Sequence, residues 1–441
     1  MPVISSIIDQ RAGSLKENIH NARTHSKKQI KQIAQSIERF GFLSPILADE
    51  NGIVIAGHGR LAAAKVLQLD VVPTIKVSGL SDVEKRQLLL ADNKIAANAG
   101  WDRERLAVEL SEILVEGGDI ELTGFEVAEV DEILLDHETG PSTPEDELPE
   151  NNSGSTTSRL GDLWILGRHR LLCGDALNAR DLDVLCGDAR ADMVFTDPPY
   201  NLAITDIVGR GQTKHREFEM ASGEMSNDEF CDFLRESLKQ MVARSCNGAI
   251  HFICMDWRHV DLLVQECRKQ YGSLLNIAVW VKNNGGQGSL YRSQHELIVV
   301  ARVGETPHRN NVQLGKHGRN RTNVWQFAGV NSFRKGRLEE LAFHPTVKPV
   351  ALIAEAIKDC TQRGDHVLDI FGGSGSTLIA CEKVGRRALL IEIDPAYVDT
   401  TIRRWEKFTG RDAVHLASGR TFNEIRESGS PNSIGSPGEN H

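Results

Sequence analysis

Residues 193–202 read MVFTDPPYNL. An apolar run, Met193, Val194 and Phe195, delivers Asp197, Pro198, Pro199 and Tyr200 in immediate succession. The prolines fix φ, remove two backbone donors and leave their carbonyls free to accept hydrogen bonds. A ligand suited to this turn brings donors, and an amino group has two. One hydrogen fits the Asp197 carboxylate and the other the Pro198 carbonyl, while the Tyr200 ring can stack on a flat heterocycle. The constellation suits an aromatic exocyclic amine, whose lone pair is delocalised into its ring. Two acceptors drawing the hydrogens out of plane localise that pair and stabilise the positive charge that develops as the nitrogen attacks an electrophile. The plainer reading of a bare Asp-Pro-Pro is a stiffened loop with Asp197 capping backbone donors. A second motif weighs against it.

That motif is HVLDIFGGSGSTLIACEKVG, residues 366–385. His366 to Ile370 reads as a strand, GGSGS as a tight turn whose glycines admit a ligand to the backbone, and 377–384 as a helix starting at once. A second strand, ALLIEIDPAY, ends in Glu392, 17 residues past Gly375. A carboxylate at that distance is placed to accept both hydroxyls of a ribose. The pair indicates a nucleoside-containing cofactor. It is not a dinucleotide fingerprint, since Leu378 stands where the third glycine of G-x-G-x-x-G belongs, and it lacks the Gly-Lys-Ser/Thr of a P-loop.

Both motifs need strand ends to hold them. Short apolar segments (RLLCGD, ADMVFTD, GAIHFIC, NIAVWV, HELIVVAR, HVLDIFG, ALLIEID) alternate with helical stretches from residue 159 onward. This alternation predicts an α/β, doubly wound sheet whose ligands sit at the carboxyl ends of its strands. Residues 137–158 and 426–441 are rich in Pro, Gly, Ser and Asn and predict a flexible linker and a disordered tail. The domains expected are therefore 1–136 and 159–425, consistent with a chain of 441 residues.

Bulk properties narrow the setting. The chain is 40% hydrophobic and 25% charged, with no apolar run long enough to span a membrane and no visible export signal, so a cytoplasmic location without membrane contact is expected. Eight scattered cysteines without a C-x-x-C pair argue against a zinc site or a disulfide scaffold, and no metal is expected. A net charge of −10 requires any nucleic-acid surface to be local. Such a surface is available between Pro307 and Arg337, where Arg309, Lys316, Arg319, Arg321, Arg334, Lys335 and Arg337 occur without an acidic residue. Their side chains suit phosphates and base edges.

D-P-P-Y at 197–200, H-P-T-V-K-P at 344–349 and F-G-G-S-G-S at 371–376 together resemble the S-adenosylmethionine-dependent DNA amino-methyltransferases, in the permuted class where the catalytic motif precedes the cofactor motif. The resemblance covers roughly 160–410. It implies a Rossmann-like methyltransferase sheet, S-adenosyl-L-methionine as cofactor and double-stranded DNA as partner, with a target-recognition insert at about 303–343. Residue by residue, it makes Asp197, Pro198, Pro199 and Tyr200 the catalytic turn. Phe371, Gly373 and Gly375 would line the methionine and adenosine pocket, with Asp369 near the methionine ammonium and Glu392 on the ribose. His344, Thr346 and Lys348 would lie near the methionine carboxylate and Asp175 near the adenine. The implied reaction is a direct in-line transfer to a flipped-out base, without a cysteine nucleophile.

The N-terminal stretch, about 10–100, resembles the N-terminal domain of the ParB and sulfiredoxin superfamily, a smaller α+β unit. There the turn G-H-G-R would set Gly57, Gly59 and Arg60 against nucleotide phosphates at a helix N-terminus. Two acidic helices follow, where partition proteins carry a helix-turn-helix domain. ADNKIAANAGW, 91–101, looks like the version of this domain fused to phage-borne methyltransferases. A DNA-docking or regulatory role is expected, with a nucleotide at the N-terminal domain and a homodimer as further expectations.

The leading reading is an N6-adenine DNA methyltransferase, within or outside a restriction-modification system. N4-cytosine methylation is the alternative in the same class, and the Asp at the head of P-P-Y favours adenine. A non-enzymatic ParB-like DNA-binding protein would predict a broken catalytic turn or cofactor loop; both are intact.

Overall fold

A computed structural model describes residues 3–116, 118–126, 129–131, 133–134, 156–201, 223–282, 285, 290–312, 314, 321–327 and 347–428. The chain divides into two compact units, Met1–Thr139 and Gly140–His441. The two segments expected to be linker and tail lie almost wholly outside the described residues, only 156–158 and 426–428 being described.

The first unit holds a small sheet of β1 (Val3–Ile4), β2 (Ile8–Arg11), β3 (Ile46–Asp49), β4 (Val54–Ala56) and β5 (Val71–Ser78), in the order β1-β5-β3-β4 with β2 also on β5. Ile30, Ile33, Ala34 and Ile37 lie at helical spacing on one face of α1 (Lys27–Phe40). Ser26 caps its start by accepting from the Gln29 N–H, and Gly41, at φ +86°, ends it. α2 (His58–Val66) follows the G-H-G-R turn, with Gly57 at φ +100° as its cap. α3 (Asp82–Ala97) opens on a capping box between Ser81 and Glu84. α3 runs through ADNKIAA, and Val83, Leu90 and Ile95 along it are exposed. α4 (Arg103–Val115) is the first of the two acidic helices, and the described residues of 129–134 are also helical.

The second unit is a ten-stranded mixed sheet. Its strands are β6 (Leu163–Leu166), β7 (His169–Cys173), β8 (Ala191–Thr196), β9 (Ser245–Met255), β10 (Ser273–Val281), β11 (His295–Arg302), β12 (Val324–Gln326), β13 (His366–Asp369), β14 (Arg387–Glu392) and β15 (Val414–His415). They lie in the order β12-β10-β11-β9-β8-β13-β14-β7-β6-β15. The five central strands, β9-β8-β13-β14-β7, are mutually parallel. β11 and β6 pair antiparallel at their two borders. This is a doubly wound Rossmann-like sheet with antiparallel margins.

Alternation along each strand builds two cores. Met193 and Phe195 of β8 and Leu171 and Cys173 of β7 face one layer, with α8 (Val350–Cys360), α9 (Ser376–Val384) and α10 (Pro395–Thr409). Val194 and Leu172 face the other, with α5 (Ala179–Cys186), α6 (Asn227–Ala243) and α7 (Val260–Gln270). Full coverage of both faces is why these strands read as near-continuous apolar runs. α11 (Phe422–Ser428) closes the described chain, with Phe422 buried against Trp164.

A buried polar hub ties one face together. The His169 Nδ1 accepts from the Ala388 N–H at 2.9 Å, so its Nε2 carries the hydrogen and donates to Glu382 at 2.8 Å. Trp405 Nε1 and Arg411 also reach that carboxylate, at 3.0 and 2.7 Å. Burial alone would raise the Glu382 pKa, but these partners hold it at about 2, against an ordinary 4.5. A depressed carboxylate stabilises the fold fully above its unfolded pKa, and the stabilisation is lost as pH falls from about 4.5 toward 2. Glu382→Ala is expected to cost about 3 kcal/mol in urea unfolding at pH 7 and clearly less at pH 3. Equal losses at both pH values would refute this role.

Candidate active site

Four acidic residues emerge from neighbouring parallel strands at the same end of the sheet. Asp197 follows β8, Asp369 ends β13, Glu392 ends β14 and Asp175 lies just past β7. β13 leads through α9 to β14 on one side, and β8 leads through α6 to β9 on the other. The windings diverge between β8 and β13, which opens a crevice at the carboxyl ends of those strands.

The glycine turn is shaped by its residues. Gly373 and Gly375 have φ of +50° and +80°. A Cβ on Gly375 would lie 2.5 Å from Thr401 Cγ2, so only glycine fits beneath α10. Thr401 Oγ1 donates to the Gly373 carbonyl at 3.0 Å, and Arg404 to the Ser374 carbonyl at 3.0 Å. These α10 contacts preorganise the loop, and no local motif announces them.

Asp369 is buried and Glu392 half-buried, and neither has a cationic partner among the described residues. Asp369 accepts from Thr196 Oγ1 at 2.8 Å and Thr377 Oγ1 at 2.6 Å, and burial pushes its pKa up to about 7. Glu392 accepts from the Gly373 and Asp394 N–H groups at 2.8 and 2.9 Å, and burial again raises it to about 7. A crevice with two unneutralised carboxylates and a glycine cradle fits a ligand bringing an ammonium and paired hydroxyls. Phe371 borders it, its ring 5.7 Å from Phe233. Asp175 caps its own turn, accepting from the Leu177 N–H at 2.9 Å, which is the local role a Gly-Asp turn commonly has.

At the Asp-Pro-Pro-Tyr turn, Pro198 is buried and Tyr200 donates to Asp197 Oδ1 at 2.5 Å. Asn201, at φ +55°, holds the following chain: its amide accepts from the Gly223 and Met225 N–H groups and donates to the Met225 carbonyl. An Asn after Pro-Pro-Tyr was the available signal, since Asn tolerates the left-handed region. Tyr200 is held well above its usual pKa, by burial first and then by Asp197 and Glu296, so it remains a donor.

Lys348, which the resemblance places near the methionine carboxylate, has its ammonium buried on Asp197 Oδ2 and 2.9 Å from Glu296 Oε2. Two carboxylates of the chain itself attract it. Glu296 was not read from the sequence, because HELIVVAR patterns as a buried strand.

Of the basic residues assigned to DNA, Arg309 is exposed and bonded to Gln362. Arg321 is spent within the fold: it bridges Glu355 and Asp359 at 2.8 and 2.9 Å and lies over Trp325. It is therefore withdrawn from the DNA-facing set. Lys316, Arg319, Arg334, Lys335 and Arg337 lie outside the described residues, as do His344 and Thr346. In the first unit, the Arg60 guanidinium folds back over Gly57, where a Cβ would meet its Nη2 at 3.0 Å. Gly59 is buried against Ile33 and His25.

Both units of the chain are similar to known proteins. The DNA methylase family (N6/N4) matches residues 191–403, the ParB N-terminal domain 7–94 and the ParB-methyltransferase helix-turn-helix domain 104–160. The last match corrects the contrast drawn above: the helices after the ParB-like domain are themselves similar to a helix-turn-helix domain. The type II methyltransferase M.HpaI of Haemophilus parainfluenzae is 25% identical over 58% of this chain and 81% of its own. The DNA adenine methyltransferase YhdJ of Escherichia coli is 25% identical over 51% and 80%. The ParB-like nuclease domain-containing protein YnaK of Escherichia coli is 53% identical over 15% of this chain and 78% of its own. The chain carries a DNA methyltransferase domain of the N6/N4 family, whose cofactor is S-adenosylmethionine, and a ParB-like domain N-terminal to it.

Proposed function

We propose that this DNA methyltransferase acts on the N6 amine of adenine, with Asp197, Pro198, Pro199 and Tyr200 as its catalytic turn. The observation that carries the reading is the meeting of Asp197 and Tyr200 at the end of β8 with the glycine cradle at the end of β13. The Asp at the head of the turn and the likeness to an enzyme named for adenine both favour adenine over cytosine.

On this reading Asp369 takes the methionine ammonium, Glu392 the ribose hydroxyls, and Phe371, Gly373 and Gly375 line the pocket, with His344, Thr346 and Asp175 at its margins. When bound, S-adenosylmethionine supplies a methyl group on a sulfonium sulfur, which keeps the bonding pair. The flipped base, extruded at a cost of a few kcal/mol, lays its ring against Tyr200. Its amine donates one hydrogen to Asp197 and one to the Pro198 carbonyl, which turns the nitrogen lone pair toward the methyl carbon. As the nitrogen–carbon bond forms, Asp197 is the nearest base to take the proton the nitrogen must lose. Arg309 and the basic insert would meet the DNA backbone. Gly57, Gly59 and Arg60 would receive nucleotide phosphates, a role supported by the buried Arg60 Nε, which lacks a hydrogen-bond partner among the described residues.

Single-molecule sequencing of plasmid from a methylation-free host expressing this protein tests the substrate. N6-methyladenine within one short motif is expected; modified cytosine alone would replace adenine by the N4-cytosine reading.

A further inference from the structure

Both oxygens of Asp197 are engaged before any base arrives. Tyr200 Oη holds Oδ1 and the Lys348 ammonium holds Oδ2. A target amine, itself a donor, can reach this carboxylate only where a present donor yields. Lys348 has somewhere to go. It is also 2.9 Å from Glu296 Oε2, and Glu296 is anchored through Oε1 to Lys282 and lies 3.2 Å from Tyr200 Oη. The three parts come from distant places. Lys348 stands just before α8, Glu296 is the second residue of β11, and pairing of Leu297 with Met255 brings it to the same rim as Asp197. The side chains of Lys348 and Glu296 are only 5% and 11% exposed, so neither charge is left to water.

We propose that Lys348 is the exchangeable counter-ion of Asp197, and that Glu296, anchored by Lys282, is the positioning residue that holds Lys348 there and receives it when the target amine takes its place. The inference rests on the reading of Asp197 as the amine acceptor. An isolated carboxylate at this depth would take up a proton and become a donor facing a donor. A cation fixed on it alone would compete with the substrate. An ammonium shared between two carboxylates avoids both faults, because it can leave one without being desolvated and alone.

The groups facing Asp197 set the expected pH behaviour. Burial and the charges of Glu296 and Asp369 favour its protonation, Lys348 with the Tyr200 hydroxyl opposes it, and the nearby Cys254 thiol, pushed well up by burial, stays neutral. Lys282 acts one step away, on Glu296. Removing the ammonium therefore raises the pKa of Asp197, and the acid limb of the rate profile moves up with it.

The test is the single-turnover methylation rate of the full chain on unmethylated plasmid from pH 5.5 to 9, together with calorimetric titration by S-adenosylmethionine. Lys348→Met is expected to shift the acid limb up by about one unit, a roughly tenfold loss near pH 6.5 that recovers toward pH 9, with cofactor affinity within about threefold of wild type. Lys348→Arg keeps the charge and should keep the wild-type limb, which guards against a folding defect. Glu296→Gln should lower the plateau rate about tenfold without moving the limb upward. A pH-independent loss in Lys348→Met, or a tenfold loss of cofactor affinity, would overturn the exchange and return Lys348 to the methionine carboxylate. Activity retained in Asp197→Asn would instead overturn the underlying reading of the turn.

Discussion

Asp197→Ala is expected to lower the single-turnover methylation rate by about 10²–10⁴-fold while leaving S-adenosylmethionine affinity within about threefold. The reason is the division of labour between strand ends. Asp197 belongs to the β8 turn and touches Tyr200 and Lys348, whereas the cofactor-side carboxylates belong to β13 and β14. On the proposed reading, deleting the carboxylate removes the acceptor that orients the amine and that receives its proton, two effects exerted only as the new bond forms. Lys348 keeps Glu296 as a partner in this variant, so no lone buried cation is created and the fold should survive. Rapid-quench kinetics beside calorimetry separate the outcomes. A variant within tenfold of wild type would remove Asp197 from the reaction, and one that no longer binds cofactor would show the two strand ends to be a single site.

Glu392→Ala should have the opposite signature: cofactor affinity falls about 10²-fold, with DNA binding unchanged. A carboxylate accepting ligand hydroxyls contributes about 1.5–3 kcal/mol, and here its backbone donors, the Gly373 and Asp394 N–H groups, would also lose their acceptor. The wild-type protein adds a pH test. Burial raises Glu392 and Asp369 to about 7, so both are partly protonated near neutrality. A ligand offering hydroxyls and an ammonium prefers them ionised. Affinity should therefore be full above about pH 8 and fall as pH drops through 7, by up to tenfold per unit for each group. In Glu392→Gln the Glu392 share of that slope should vanish. An affinity flat from pH 5.5 to 8.5 would mean that these carboxylates do not meet the cofactor.

Much of this was legible in one dimension because the relevant chemistry is local. Two prolines restrict φ and withhold their N–H groups wherever they stand, and Gly375 permits a left-handed turn whatever surrounds it. An apolar strand followed by a polar turn also places Asp197 and Asp369 at strand ends without knowledge of strand order. The α1 helix was readable from the apolar spacing of Ile30, Ile33, Ala34 and Ile37 and from Gly41 closing it. By contrast α3 was passed over, although Ser81 and Glu84 form a capping box, because exposed Val83, Leu90 and Ile95 blur the helical stripe.

What the amino-acid order determined by itself is the inventory: an Asp-Pro-Pro-Tyr turn, a glycine turn, Glu392 seventeen residues past Gly375 and a ParB-like unit ahead of them. What only the tertiary structure decided is which of these groups share a space. Strand order lays β8 beside β13, α10 brings Thr401 and Arg404 beneath the glycines, and Lys348 reaches Asp197 across 151 positions of sequence with Glu296 between them in the chain. Turn geometry follows from a few neighbouring residues. Charge pairing across a sheet follows from which strands lie side by side, and no short stretch of sequence carries that.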